Sequence, residues 1–168
     1  MKRLAAAIAI LLTVCAVVLA GGSITGYSVS ESYASCYLST PSLAEAVTTG
    51  TAEKVPGTFT EDLSSSDWTV SSAGLLTYTG TNTRHVTIVA TISSYVGSNN
   101  TISRWYIAKG GSIDTNSRID RKHGVGADVG AMTVMLDDLA ATNDTYQVFM
   151  DNDSNDSMSV TYCYIHVD

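Results

Sequence analysis

At 168 residues, 45% hydrophobic and 15% charged, the chain is long enough for one well-filled core and too short for two. A formal net charge of −7 and a pI near 4.7 remove the electrostatic basis for a general nucleic-acid role. Two prolines against abundant Thr, Ser, Gly, Val and Tyr suit half-buried pleated surfaces joined by tight turns, so the predicted class is all-β.

Lys2 and Arg3 precede an apolar run from Leu4 to Ala20, which ends in Val18-Leu19-Ala20 before Gly21. This is the layout of a secretory signal with a cleavage site after Ala20, or of an uncleaved N-terminal anchor helix over residues 1–20. Either way the rest of the chain is expected to leave the cytoplasm. Cys15 sits inside the apolar run and not at its end, which argues against a lipoprotein signal. Residues 21–32 are rich in Gly, Ser and Thr and read as a flexible lead-in, leaving one domain over 33–168.

Tyr33 to Leu38 is the first predicted strand, broken at Thr40-Pro41-Ser42. Leu43 to Val47 reads as an extended link, and Lys54 to Phe59 as a short edge strand interrupted by Pro56-Gly57. Trp68-Thr69-Val70 alternates. The clearest unit is Leu75 to Ile92: Leu76, Tyr78, Val86, Ile88, Ala90 and Ile92 fall on every second position, and Gly80 to Thr83 supply a turn, which predicts a β-hairpin. Ile102 to Lys109 is a strand with apolar side chains on both faces, expected to be covered on both sides.

Further strands follow over Ala131 to Leu139 and from Tyr146 to Met150, then a polar loop Asp151 to Ser157. The closing strand is predicted to show Met158, Val160, Tyr162 and Tyr164 on one face and Thr161 and Cys163 on the other. Short strands separated by turn clusters, with no helix after the leader, predict a sandwich, barrel or jelly roll.

Laid out in this way, the chain resembles the C1q/TNF-like trimeric jelly rolls of phage and marine-virus fibre, spike and head-decoration proteins. The matching words are KVPGTF at 54–59, LLTYTG at 75–80, RHVTIVATIS at 84–93, YIAKGG at 106–111, SRIDRKHGVGADVGAM at 117–132, LAATND at 139–144 and the closing SMSVTYCYIHVD, in order across nearly the whole domain. The resemblance implies an antiparallel jelly-roll β-sandwich, a compact homotrimer, and a structural or attachment role without catalysis, with other virion proteins or a host surface receptor as partners. The export signal and the absence of an upstream stalk are departures from that pattern. The export signal favours a second reading, a secreted or membrane-anchored bacterial adhesin-like module that recognises a glycan or protein through loops near Asn99-Asn100 and Asp151 to Ser157.

Arg104, Lys109, Arg118, Arg121 and Lys122 cluster within 104–122, and only acids follow Lys122. A basic strand could meet an acidic surface of the next subunit, making Arg104, Trp105, Arg118, Arg121 and Lys122 the expected trimer interface. A solvated basic face and a site for anionic glycans or lipid head groups are the other uses. Asp151, Asp153, Asn155 and Asp156 imitate the start of an EF-hand loop, a calcium candidate. Asp156 stands where glycine is needed and Tyr162 where a bidentate Glu should be, so a polar hairpin tip is the competing reading.

With Cys15 removed, Cys36 and Cys163 are an even pair in an oxidising setting. If the end strands are neighbours, a disulfide would contribute on the order of 4 kcal/mol; otherwise both are buried thiols. No G-x-S-x-G elbow, no metal-ligand spacing among His85, His123 and His166, and no GxGxxG appears. No cofactor other than calcium, no nucleic acid and no enzymatic activity are expected, and membrane contact only through residues 4–20.

Overall fold

The computed structural model describes residues 31–125 and 128–168, without the side chains of 42 and 43. The expected signal or anchor helix lies outside the described residues, as does most of the lead-in. The strands are β1 (Ala34–Thr40), β2 (Ser42–Ala46), β3 (Glu53–Lys54), β4 (Thr58–Ser64), β5 (Trp68–Val70), β6 (Leu76–Tyr78), β7 (Arg84–Val96), β8 (Ile102–Lys109), β9 (Ser112–Ile113), β10 (Ile119–Lys122), β11 (Gly130–Ala140), β12 (Thr145–Asn152) and β13 (Ser157–Val167), with one 3-10 turn at Thr115–Ser117. They form two antiparallel sheets. The first runs β11-β7-β13-β1-β4, with β2 also on β13; the second runs β10-β8-β12-β6-β5, with β3 on β12 and β9 on β8. Neighbours in space are rarely neighbours in sequence, which is the crossed connectivity of a jelly-roll sandwich.

The core lies between the sheets and follows from alternation. Along β7, Val86, Ile88, Ala90, Ile92, Ser94 and Val96 point inward while the residues between them stay partly exposed. Across the sandwich, β8 is buried on both faces as expected: Trp105, Tyr106, Ile107 and Ala108 are all nearly inaccessible. Trp68 stacks at a tilt on Tyr78 and Tyr146, with ring centroids 5.1 and 6.1 Å away, and closes one end of the core.

The expected hairpin over 75–92 is not formed. β6 pairs with β5 and β12 in the second sheet, whereas β7 pairs with β11 and β13 in the first. Residues 79–83 carry the chain from one sheet to the other, with Tyr78 Oη donating to Asn82 O at 2.7 Å. Periodicity identifies the buried face of a strand and not its partner, and two strands facing one core from opposite sheets share the alternation of a hairpin.

Three boundaries also differ from expectation. Residues 42–46 are a strand on β13 and not a link, and the Ala44 N–H donates to Ser159 Oγ at 2.8 Å. The KVPGTF segment splits at Pro56-Gly57 into β3 and β4. Gly57 has φ +111°, and a Cβ there would stand 2.7 Å from both Leu38 Cδ1 and Thr40 O, so only glycine fits. Finally β12 continues through Asp151 and Asn152, both buried, which shortens the expected polar loop to 153–156.

The closing strand changes phase. Its register on β7 shifts between Val160 and Tyr162, so Met158 and Val160 face the core before the bulge and Cys163, Ile165 and Val167 face it afterwards. Tyr162 and Tyr164, expected on the face of Met158, turn outward.

Candidate interaction surface

Register places the outward residues of the first sheet in rows. Met135, Val89, His166, Ser35 and Leu63 lie side by side across β11, β7, β13, β1 and β4. The next row is Thr133, Thr91, Tyr164, Tyr37 and Thr60, and beyond it stand Ala131, Ser93 and Tyr162. On the other side of the Met135 row, Leu139 is opposite His85. Five large apolar side chains of this face are open to solvent: Leu63 (59%), Leu139 (58%), Met135 (55%), Tyr162 (46%) and Tyr37 (39%). Polar groups on the face are mostly paired with one another: Thr87 Oγ1 donates to Asp137 at 2.7 Å, His166 Nε2 is 2.7 Å from Asp168, and Asp62 lies 3.4 Å from both Tyr164 Oη and Ser35 Oγ. Exposed tyrosine, methionine and leucine spread over the rows of one sheet face give it the form of a contact surface with aromatic anchors.

The residues expected at a trimer interface are on the other sheet, and they do not form one surface. Trp105 points into the core, is 0% exposed and donates from Nε1 to Ser103 Oγ at 3.0 Å, so it reaches no partner. Arg104 pairs with the nearly buried Asp151 at 2.9 Å, and Tyr106 Oη lies 3.5 Å from the other oxygen of that carboxylate. Arg118 makes a two-point contact with Asp120, and Arg121 pairs with Asp128 at 3.2 Å. The Arg121 guanidinium lies over Gly130, where a Cβ would come within 1.7 Å of its Cζ. The basic run thus finds its acids inside the subunit. Among the described residues Lys122 alone of the five makes no ion pair, and it stands exposed.

A second ion-paired cluster joins β8 to the β11–β12 turn. Lys109 Nζ lies 2.6 Å from Asp138 and 2.8 Å from Asp144, donates to Leu139 O at 3.0 Å, and Tyr146 Oη donates to Asp138 at 2.6 Å. Burial alone would raise the Asp138 carboxyl, but hydrogen bonds from Lys109 and Tyr146 outweigh it and hold it below the usual carboxylate range. Asp144 is held down in the same way, against its burial, by the Ala141 N–H and Lys109.

The four calcium candidates sit near the β12–β13 turn but do not converge on a point. Asp151 faces Arg104, Asp153 Oδ1 accepts from the Ile102 N–H at 2.9 Å, and Asn155 Oδ1 accepts from the Thr49 N–H at 2.6 Å. Asp156 accepts from Ser98 at 2.7 Å, from Thr101 at 2.9 Å and from Ser154. Each oxygen set is spent on a different partner. Among the described residues no three His, Cys, Asp or Glu side chains are grouped as a ligand set. These bonds do bring the 97–101 turn and the 153–156 turn together at one end of the sandwich.

β1 and β13 are neighbours, with Cys36 opposite Ile165, so Cys163 is diagonal to Cys36 on the same inward face. Both are buried free thiols. Burial, with the Glu61 carboxylate adding to it, pushes the Cys36 thiol up to about 12, and burial raises Cys163 as well.

Sequence reasoning missed the outward tyrosines because the bulge at 160–162 reverses which residues a strict alternation exposes. It also missed the buried Ser103–His123 contact of 2.8 Å, whose members lie in β8 and just past the end of β10. That pair has no solvent access and cannot present a nucleophile to a substrate.

No family model and no curated protein matches the chain. Solved structures do: murine APRIL at pH 8.5 superposes with a TM-score of 0.51 at 10% identity, covering 81% of this chain and 98% of that one. Murine APRIL at pH 5.0 gives 0.52 at 11% identity with the same coverage. Eiger TNF from S. frugiperda follows at a TM-score of 0.48, 11% identity and 82% and 92% coverage, and the globular domain of zebrafish complement 1qA at 0.40, 8% identity and 82% and 96% coverage. The described domain is an antiparallel jelly-roll sandwich that shares its fold with the murine APRIL structures.

Proposed function

We propose that the chain is a non-enzymatic binding module that assembles as a homotrimer through the outer face of its first sheet, and that it serves as a surface spike, fibre or decoration module of a viral particle, in assembly or host attachment. The observation that carries the assembly is the contrast between the two outer faces. On the second sheet the arginines are ion-paired within the subunit; on the first, Tyr37, Tyr162, Met135, Leu139 and Leu63 stand open. A heterologous ring would seat the β11 rim, with Met135 and Leu139, against the tyrosines of the next copy, and threefold rotation would close it. The viral setting rests on the ordered sequence resemblance of residues 54–168.

The test is Tyr162→Glu beside Arg118→Ser/Arg121→Ser. The first should dissociate the oligomer, because a charge enters a desolvated contact, and the second should leave its mass unchanged. The opposite pattern would move the interface to the basic strand.

A secreted or anchored adhesin-like module is supported by one separate observation. The loops bearing Asn99-Asn100 and residues 153–156 share hydrogen bonds from Ser98 and Thr101 to Asp156, giving a hydroxyl- and amide-rich rim of the kind that binds glycans. Capsid, portal or tail genes beside the coding sequence would support the viral setting, and a host operon would support the adhesin.

A further inference from the structure

His123 is 1% exposed and is held at both ring nitrogens. Nε2 is 2.8 Å from Ser103 Oγ, and Nδ1 is 3.3 Å from the carbonyl oxygen of Asp128. Ser103, fully buried, also takes the Trp105 Nε1–H at 3.0 Å. The backbone of His123 is a tie as well: its N–H donates to Thr101 O at 2.9 Å and its carbonyl accepts from the Asn100 N–H at 3.0 Å. Thr101 Oγ1 then donates to Asp156, so this one residue links β10 to the 97–101 turn and, through it, to the 153–156 turn.

The proton inventory of the neutral ring has a single solution. Asp128 O only accepts, so Nδ1 carries the proton; Nε2 must then accept from the Ser103 hydroxyl, whose oxygen accepts from Trp105. Protonating Nε2 makes it a donor and forces the Ser103 hydrogen to turn away. An acceptor is available in the Arg121 carbonyl, 3.4 Å from Ser103 Oγ. The site therefore has two hydrogen-bonded arrangements, and the second carries a buried positive charge.

Two charged groups face that charge. The Arg121 guanidinium repels it, and the Asp128 carboxylate attracts it while already engaged by the Gly124 N–H at 2.8 Å and by Arg121. Beyond Thr101 stands Asp156, which accepts from three hydroxyls. Burial, with Arg121 beside it, depresses the His123 pKa below its ordinary value against the opposing pull of Asp128.

We propose that His123 is an acid-operated latch on the loops at this end of the sandwich. Neutral, it holds the 97–101 turn against β10. Charged, it favours a loosened turn in which the imidazolium reaches water, while the two sheets stay packed. The rim that would touch a ligand is thereby ordered near neutral pH and loosened in acid. The latch belongs to the second sheet and does not depend on what covers the first.

Amide hydrogen exchange on the full chain at about pH 7.5 and about pH 5, corrected for the intrinsic rate, tests this. Because opening is coupled to uptake of one proton, protection at the Asn100 and His123 amides should fall by up to about tenfold per pH unit between the midpoint of the exposed ring and the depressed midpoint of the buried one, and level off below the latter. The Ile92 and Ile165 amides, in the β7–β13 ladder, should keep theirs. His123→Gln, which cannot charge, should show no such acid loss at Asn100. Equal protection of Asn100 at both pH values, or the same loss in His123→Gln, would overturn the latch. Should that variant not fold, ring NMR of the unaltered protein decides: a His123 that titrates with no accompanying change at Asn100 overturns it equally.

Discussion

Ile165 and Tyr162 test the phase of the closing strand. Strict alternation from Met158 would bury Tyr162 and expose Ile165; the bulge makes Ile165 1% exposed and Tyr162 46% exposed. Ile165→Ala removes a buried side chain from the second half of β13, between β1 and β7, and leaves a cavity that neighbouring strands cannot fill, a cost of about 2–5 kcal/mol. Tyr162→Ala removes mostly solvated surface and should cost about 0.5 kcal/mol or less in the isolated subunit. Urea unfolding at low protein concentration, where assembly does not add to stability, separates the two. With a slope of about 1–3 kcal/mol per molar, Ile165→Ala should lower the midpoint by roughly 1 M or more, and Tyr162→Ala by a few tenths at most. Equal losses, or the reverse order, would refute the re-phased strand and with it the outward tyrosines.

The two arginines of the basic run should behave differently. Arg104→Met strands the nearly buried Asp151 carboxylate and should cost about 3–5 kcal/mol in urea unfolding, whereas Arg118→Ser breaks an exposed pair and should cost about 1 kcal/mol or less. Asp138 and Asp144 have depressed folded-state pKa values, so the stability they contribute is complete above their unfolded value near ~4 and is lost as pH falls through the folded values. Lys109→Met should flatten that acid limb of a urea-midpoint profile, and an unchanged limb would count against the cluster. Cys36 and Cys163 should resist iodoacetamide at neutral pH until denaturant is added, and mass spectrometry showing rapid labelling of the native chain would contradict their burial as thiols.

Much of the fold was legible because alternation is a local property. The inward residues of β7 and the double burial of β8 follow from side-chain sequence alone, and so does the all-β class. What was not legible is non-local. Nothing in LLTYTG or RHVTIVATI tells whether two strands are bonded to each other or face each other across a core, and only the pairing of β6 with β12 resolves it. A bulge is equally silent, since Thr161 looks like any outward threonine. Charge partners are non-local for a related reason: charges gathered in sequence say nothing of what they face, and Asp151, Asp120 and Asp128 stand within ion-pair distance of Arg104, Arg118 and Arg121 in the same subunit. Trp105, for which core and threefold interface were both open from sequence, lies in the core, where its indole N–H has a buried acceptor in Ser103, two residues away on the same strand. The acids at 151–156 imitate a cation loop by spacing, while strand β12 removes the first of them into the sheet.

The central claim is that the open face of the first sheet is covered by further copies of the chain. Sedimentation equilibrium on the purified protein measures it most directly. The expected result is a single species of three subunit masses that falls to one in Tyr162→Glu. A protein that remains monomeric at tens of micromolar, or an oligomer indifferent to that substitution, would contradict it.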